Sequence, residues 1–312
     1  MTELLITLDI MTPLFILLGL GWLLRRINLM GETLVSGLNK LIFKLFLPVL
    51  LFNNMRDLDM STVPPASFML FVFCSILTVF VAAYVLVPRF VKDPRKSGVT
   101  VQGIFRTNYA ILGIPLLEAM FGAPGVTAAT LALPIVVPVN NSLAVVALST
   151  CAGHKAEPKK LVKNIVTNPL IIGTVLGAAF LLLKIPMPGV VDDACRQIGQ
   201  ITSPLSLLVL GASLRWQGVA DNKKLLSWML LFRQGLIPAI MFTIAILLGF
   251  THEELGVIII LFGAPCAVSC FPMADAMGGD GQLAASQVVL TTVISMGTLF
   301  VLIYVGKLLA IL

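Results

Sequence analysis

Two stretches of this sequence place chemistry-bearing residues where an apolar chain should not tolerate them. Between Phe105 and Met120 lie Arg106, Thr107, Asn108, Tyr109, Gly113, Pro115 and Glu118; between Phe262 and Met277 lie Pro265, Cys270, Pro272 and Asp275. The two stretches are copies. Phe105/Phe262, Ala110/Ala267, Pro115/Pro272, Ala119/Ala276, Met120/Met277 and Gly122/Gly279 share an offset of 157, and Glu118 meets Asp275 at that offset. Proline has no N–H and clashes with the carbonyl four residues earlier, so Pro115 and Pro272 free the Ile111 and Val268 carbonyls. At membrane depth such groups are tolerated only when buried in protein or lining a cavity. Each copy therefore reads as two half-helices, the second starting near Pro115 or Pro272, because proline suits a first helical position. Facing N-termini, with free N–H groups and positive dipole ends, favour an anion such as a small carboxylate. Unrelated kinks are the alternative, and their symmetry speaks against it.

Around that junction, Asn108 lies two turns before Pro115, and its amide can donate to a carboxylate or accept from a hydroxyl. Its structural alternative is to glue helices together. Gly113, Pro265, Cys270 and Asn141 complete the candidate substrate contacts, with Tyr109 and Thr107 weaker ones, and Asn140 and Ser142 belong to the same polar run as Asn141. Glu118 and Asp275, three residues past each proline, are expected in the first turn of a half-helix. There they either complement the dipole or titrate in coupling to a proton or cation. Arg106 is a candidate counter-charge. Snorkelling is the default for it and for Lys40, Lys44 and Arg233, which also fall in apolar runs.

The elements that must position these groups are membrane helices. Hydrophobic residues make up 58% of the chain and charged ones 12%, with a mean hydropathy of +1.02. A soluble domain cannot expose so little charge. The first apolar stretch has no basic flank before it and no cleavage site after it, and reads as a retained helix. Cys74, Cys151, Cys195, Cys266 and Cys270 are scattered, and read as small packing residues rather than a disulfide or metal set. Spans need roughly 20 apolar residues, and ten stretches qualify, near 8–25, 34–54, 67–88, 99–121, 126–149, 162–183, 197–214, 225–250, 255–276 and 283–310.

Loops after odd-numbered spans hold Arg25, Arg26, Arg89, Lys92, Arg95, Lys96, Lys155, Lys159, Lys160, Lys163, Arg215, Lys223 and Lys224, against Arg56, Lys184, Arg196 and Lys307 on the other side. Thirteen against four places both termini outside the cytoplasm by the positive-inside rule, in a protein of the cytoplasmic (inner) membrane. Five spans per copy is an odd number, so the second copy enters upside down. Residues 1–152 form the first inverted repeat, 153–163 a cytoplasmic linker and 164–312 the second. Pro13/Pro169, Gly21/Gly177 and Pro48/Pro204 extend the repeat at an offset of 156. Interrupted segments paired across inverted halves point to a secondary transporter's binding site. The net charge of +6 sits in these loops, so nucleic acid is not an expected partner.

The run Asn108-Tyr-Ala-Ile-Leu-Gly-Ile-Pro115-Leu-Leu resembles the fourth-helix motif of the auxin efflux carrier family. That family includes bacterial permeases for malonate and other organic acids and, more distantly, the plant PIN proteins. Ala264-Pro265 with Phe271 and Ala274-Asp275 is similar to its ninth-helix counterpart, and Leu47-Pro48 to its second-helix motif. The resemblance implies an all-α, ten-helix fold in which interrupted helices 4 and 9 cross with the substrate at the crossover. It also implies a scaffold of helices 1, 2, 6 and 7, a mobile core of helices 3–5 and 8–10, elevator-like motion and a homodimer. Two features depart from it. PIN-like members carry Lys-Glu after the alanine matched by Ala274, where this chain has Asp275-Ala276, and Pro272 is displaced from its place in some members.

The expected activity is transport of small organic anions, secondary active or facilitative, with no cofactor beyond a coupling proton or sodium ion. A sodium-coupled symporter of the bile-acid-transporter type is the alternative; it needs clustered oxygen ligands on the crossing helices, some of which Glu118, Asp275, Ser269 and Asn108 could supply. An enzyme is not expected. Met277-Gly-Gly-Asp280 lacks the first glycine of an intramembrane aspartyl protease motif, no Asp-rich pair exists for Mg²⁺, and His154 and His252 lack ligand spacing.

Overall fold

The computed structural model describes residues 2–57, 65–151, 166–309 and 311–312; the expected linker at 153–163, with His154, lies outside them. All described regular structure is helical. In chain order the helices are α1 (Thr2–Arg26), α2 (Glu32–Arg56), α3 (Ala66–Phe90), α4 (Pro94–Phe105), α5 (Tyr109–Phe121), α6 (Ala123–Cys151), α7 (Pro169–Leu182), α8 (Gly189–Ser213), α9 (Trp216–Asp221), α10 (Lys223–Leu247), α11 (His252–Gly263), α12 (Cys270–Ala276) and α13 (Gly281–Leu308). Among the described residues α2, α3, α6, α10 and α13 are long and apolar enough to cross a membrane unbroken. Two of these, α2 and α10, each contain a π-helical turn, at Ile42–Phe46 and Leu231–Leu236.

Local chemistry fixes several starts. Asp93 accepts from the Arg95 amide before α4, Asn168 from Leu170 before α7, and Asp280 from Leu283 before α13; each caps an orphan donor of the first turn. Pro94 and Pro169 occupy first positions where no N–H is needed. Thr251 and Glu254 form a reciprocal capping box at α11. The outer faces stay apolar, with Ile16, Leu70, Leu182, Leu247 and Val301 all exposed. A helix apolar all round belongs in lipid, so this is an integral membrane protein.

Glycine sets the closest helix contacts. α1 packs on α8 and α2 on α7. A Cβ at Gly21 would collide with the Leu208 carbonyl, and one at Gly177 with the Phe52 carbonyl. Gly21/Gly177 and Phe52/Leu208 both differ by 156, so one contact is made twice. Small residues that let backbones approach are the usual basis of association between membrane helices.

Candidate functional site

Between α4 and α5, and again between α11 and α12, the chain leaves the helix, and the two gaps cross. Ala264 adopts φ −64° and ψ 155° ahead of Pro265, because a residue before proline is pushed out of the helical region. Arg106 is also extended, at φ −78° and ψ 128°. Thr107 pairs antiparallel with Cys266, and the Asn108 amide donates to the Pro265 carbonyl at 2.9 Å. From α13, Thr291 Oγ1 accepts from the Cys266 amide at 3.0 Å. Each break thus satisfies backbone groups that the other leaves open, which the bilayer could not do.

The prolines fall differently from the sequence expectation. Pro265 ends α11 at the crossing, and Pro272 sits in the first turn of α12, buried. Pro115 is the exception. It lies inside α5, six residues after its start at Tyr109, and is exposed. The first break is therefore at Arg106–Asn108, made by backbone pairing with the second gap rather than by Pro115. Because α5 and α12 start earlier than expected, Glu118 and Asp275 fall near the ends of their helices instead of in first turns. Both are exposed, and neither lines the crossover. Asp275 instead accepts from the buried Asn39 Nδ2 at 2.6 Å, beside a separate cavity of about 330 Å³ that Arg25, Arg95 and Arg215 also line.

At the crossing a cavity of about 80 Å³ is lined by Arg106, Thr107, Asn108, Asn140, Asn141 and Ser269 from the breaks and α6. Asn54 on α2 and Thr202, Ser203 and Ser206 on α8 face them, and leucines and valines complete the wall. By the same measure a water needs about 10–15 Å³, so the space suits a small molecule. Arg106 does not snorkel. Its side chain is buried, with Nη2 2.6 Å from Asn141 Oδ1 and 2.8 Å from Ser269 Oγ, and Nη1 3.0 Å from Met273 Sδ. Among the described residues, no carboxylate pairs with it. A buried ion without a counter-ion costs several kcal/mol. Thr107 Oγ1 and both side-chain polar atoms of Asn140 have no protein partner either. Charge and unspent hydrogen-bonding capacity therefore converge on one small space.

Arg106, Asn108 and Asn141 of the sequence candidates meet at this cavity, joined by Thr107, Asn140 and Ser269. Tyr109 does not; it is fully buried and donates to the Ala129 carbonyl at 3.1 Å. Gly113 packs against the Tyr109 ring. Cys270 lies beside Cys266, sulfur to sulfur 3.3 Å, away from the lining, and the cysteines are free. Lys40 and Lys44 are exposed, as snorkelling requires, but Arg233 is wholly buried. Its Nη1 and Nη2 donate to the Phe262 and Ala264 carbonyls at 3.0 and 2.8 Å. Asn54 and the α8 hydroxyls also escaped the sequence reading. They sit in helices whose apolar pattern gives no sign of which polar residues face inward.

Crossed, interrupted helices around a polar cavity, in a chain whose other helices are apolar to the outside, define a membrane transporter. The sequence profile of the family described as "Membrane transport protein" matches residues 7–303. The chain belongs to this family, that of the auxin efflux carriers. It is 25% identical over 293 residues to an uncharacterized transporter of Methanothermobacter thermautotrophicus, covering 91% of this chain and 93% of the relative. An uncharacterized transporter of Methanocaldococcus jannaschii is 22% identical over 307 residues, 93% of this chain and 96% of its own. A protein of Rhizobium meliloti named "Putative malonate transporter" is 24% identical over 311 residues, 94% of this chain and 93% of its own.

Proposed function

We propose that this protein carries small organic anions, mono- or dicarboxylates, across the cytoplasmic membrane, with the carboxylate held at the crossover against Arg106. The carrying observation is that guanidinium: buried, bonded only to neutral groups, and lining a cavity of about 80 Å³. Arginine presents paired donors in a fork that matches a carboxylate. Asn108, Asn140 and Thr107 would complete the shell, and the start of α5 at Tyr109, just after Asn108, adds the positive end of its dipole. The malonate in the Rhizobium meliloti relative's name supports this substrate class.

The same reading takes the ten apolar stretches as five plus five inverted spans. The repeated Gly21–Leu208 and Gly177–Phe52 contacts support it. Alternating access then follows from one half adopting the arrangement the other leaves, as an elevator-like movement of the crossed helices against α1, α2, α7 and α8, in a homodimer. Glu118 and Asp275 stand off the cavity, so coupling through them would act at the helix ends.

The test is uptake of labelled malonate and related carboxylates by proteoliposomes. Saturable uptake by the wild type that Arg106→Gln abolishes is expected. Uptake unchanged in Arg106→Gln, or transport of cations or neutral solutes only, would sink the proposal.

A further inference from the structure

Arg233 is the largest fully buried side chain in the described structure, and the anion site does not use it. It projects from the π-helical turn Leu231–Leu236 of α10, a local widening that often marks functional positions. Its two terminal nitrogens bond the Phe262 and Ala264 carbonyls, at the C-terminal end of α11 where the helix breaks. Nε has no partner, and no carboxylate among the described residues pairs with the guanidinium. A membrane-buried arginine spent on two neutral carbonyls needs a reason. Helix C-terminal ends carry partial negative charge and attract cations. In transporters with broken helices, such carbonyls and half-helix C-terminal ends are where coupling ions bind.

We propose that Arg233 is a tethered cation: its guanidinium takes the carbonyls at the α11 break that a coupling sodium ion would use, so transport proceeds without sodium. The inference rests on reading the crossover as a carrier's site, but its first readout needs no substrate. Sodium would have to displace a covalently attached competitor already holding both oxygens at hydrogen-bonding distance. The α11 dipole is neutralised in every state of the protein, not only in the ion-loaded one. Arg233 is thus a positioning residue. It fixes the carbonyl end of α11, and through Ala264 and Pro265 the extended segment that pairs with Thr107 and Asn108.

The experiment is thermal unfolding and carboxylate uptake of the full chain in lipid, with sodium, potassium or choline as the cation. Wild type should be equally stable and active in all three. Arg233→Ala should lose more than about tenfold in uptake, since the Phe262 and Ala264 carbonyls at the break are left buried without their donors. Millimolar guanidinium, or sodium, should restore its stability where choline does not. A merely structural arginine would show no such cation-selective rescue. Sodium-specific stabilisation of the wild type, or an Arg233→Ala protein indifferent to every cation, overturns the proposal. Should Arg233→Ala not fold, wild type and Arg233→Lys decide: equal stability in sodium and choline is expected of both, and a sodium requirement in the wild type overturns it. If carboxylates bind nowhere while the cation results hold, the proposed substrate fails and the role of Arg233 stands.

Discussion

Arg106 donates to the amide oxygen of Asn141 at 2.6 Å, joining the first break to α6 across the crossover cavity. That amide is neutral, so it orients the guanidinium without cancelling its charge. An aspartate there would cancel it. Asn141→Asp should form an ion pair with Arg106, leave the fold at least as stable, and abolish carboxylate binding. Calorimetric titration beside thermal unfolding separates the two effects, and an Asn141→Asp protein that still binds carboxylates would contradict a charge-based site.

Asn39 and Asp275 form a buried-to-exposed pair at 2.6 Å, whereas Glu118, the repeat partner of Asp275, is exposed. The two acids should therefore behave unequally. Asp275→Ala leaves the buried Asn39 without its acceptor and should cost about 1–3 kcal/mol. Glu118→Ala should stay within about 0.5 kcal/mol, as ordinary surface changes do. Thermal unfolding of both variants checks the asymmetry; equal losses would mean the acids act as a pair.

The twin glycine contacts predict twin defects. Gly21→Val drives a side chain into the Leu208 carbonyl and Gly177→Val into that of Phe52. Overpacking of this kind costs typically 1–3 kcal/mol, and the melting temperature of each variant should fall. Gly19→Val, at a position with open space around its Cβ, is the control that should not.

Near the N-terminal end of α8, Asp192 pairs with Arg196 at 3.1 Å and with Arg56 at 2.5 Å, and Arg196 also holds Asp57 at 2.9 Å. Desolvation pushes the Asp192 carboxyl upward, but hydrogen bonds and charge from Arg196 and Arg56 outweigh it and hold it below its ordinary value. A carboxyl held lower in the folded than in the unfolded chain stabilises the fold above the ordinary carboxylate range. That contribution is lost as pH falls through the depressed value. Asp192→Asn should lower the melting temperature at neutral pH and flatten its decline below the ordinary carboxylate range. A parallel decline in both proteins would show that Asp192 carries no such linkage.

Much of this arrangement was legible in residue order. Repetition at an offset of 157 and the polar runs Arg106–Asn108 and Asn140–Asn141 pointed to the two segments that cross and to residues of the cavity. What misled was treating Pro115 and Pro272 as the breakers, when the second gap opens earlier, at Pro265. A proline two turns into α5 is accommodated, while the actual gap is created by pairing with Pro265 and Cys266, contacts some 157 residues distant in sequence that no local pattern reveals. The shift moved Glu118 and Asp275 from helix starts to helix ends and so removed them from the site. Arg233 was hidden for a similar reason. A lone arginine in an apolar run looks like a snorkelling one until the carbonyls it bonds, on another helix, are known.

The most direct measurement is a thermal-shift titration of wild type and Arg106→Gln with malonate and other small carboxylates. A ligand bound only by the folded state stabilises it by about 2.7 kcal/mol at a hundredfold excess over its dissociation constant. Saturable stabilisation of the wild type that disappears in Arg106→Gln, with the variant still folded, is the expected result. Equal stabilisation of both proteins, or none by any carboxylate alongside a response to neutral or cationic compounds, would contradict the crossover as an anion site.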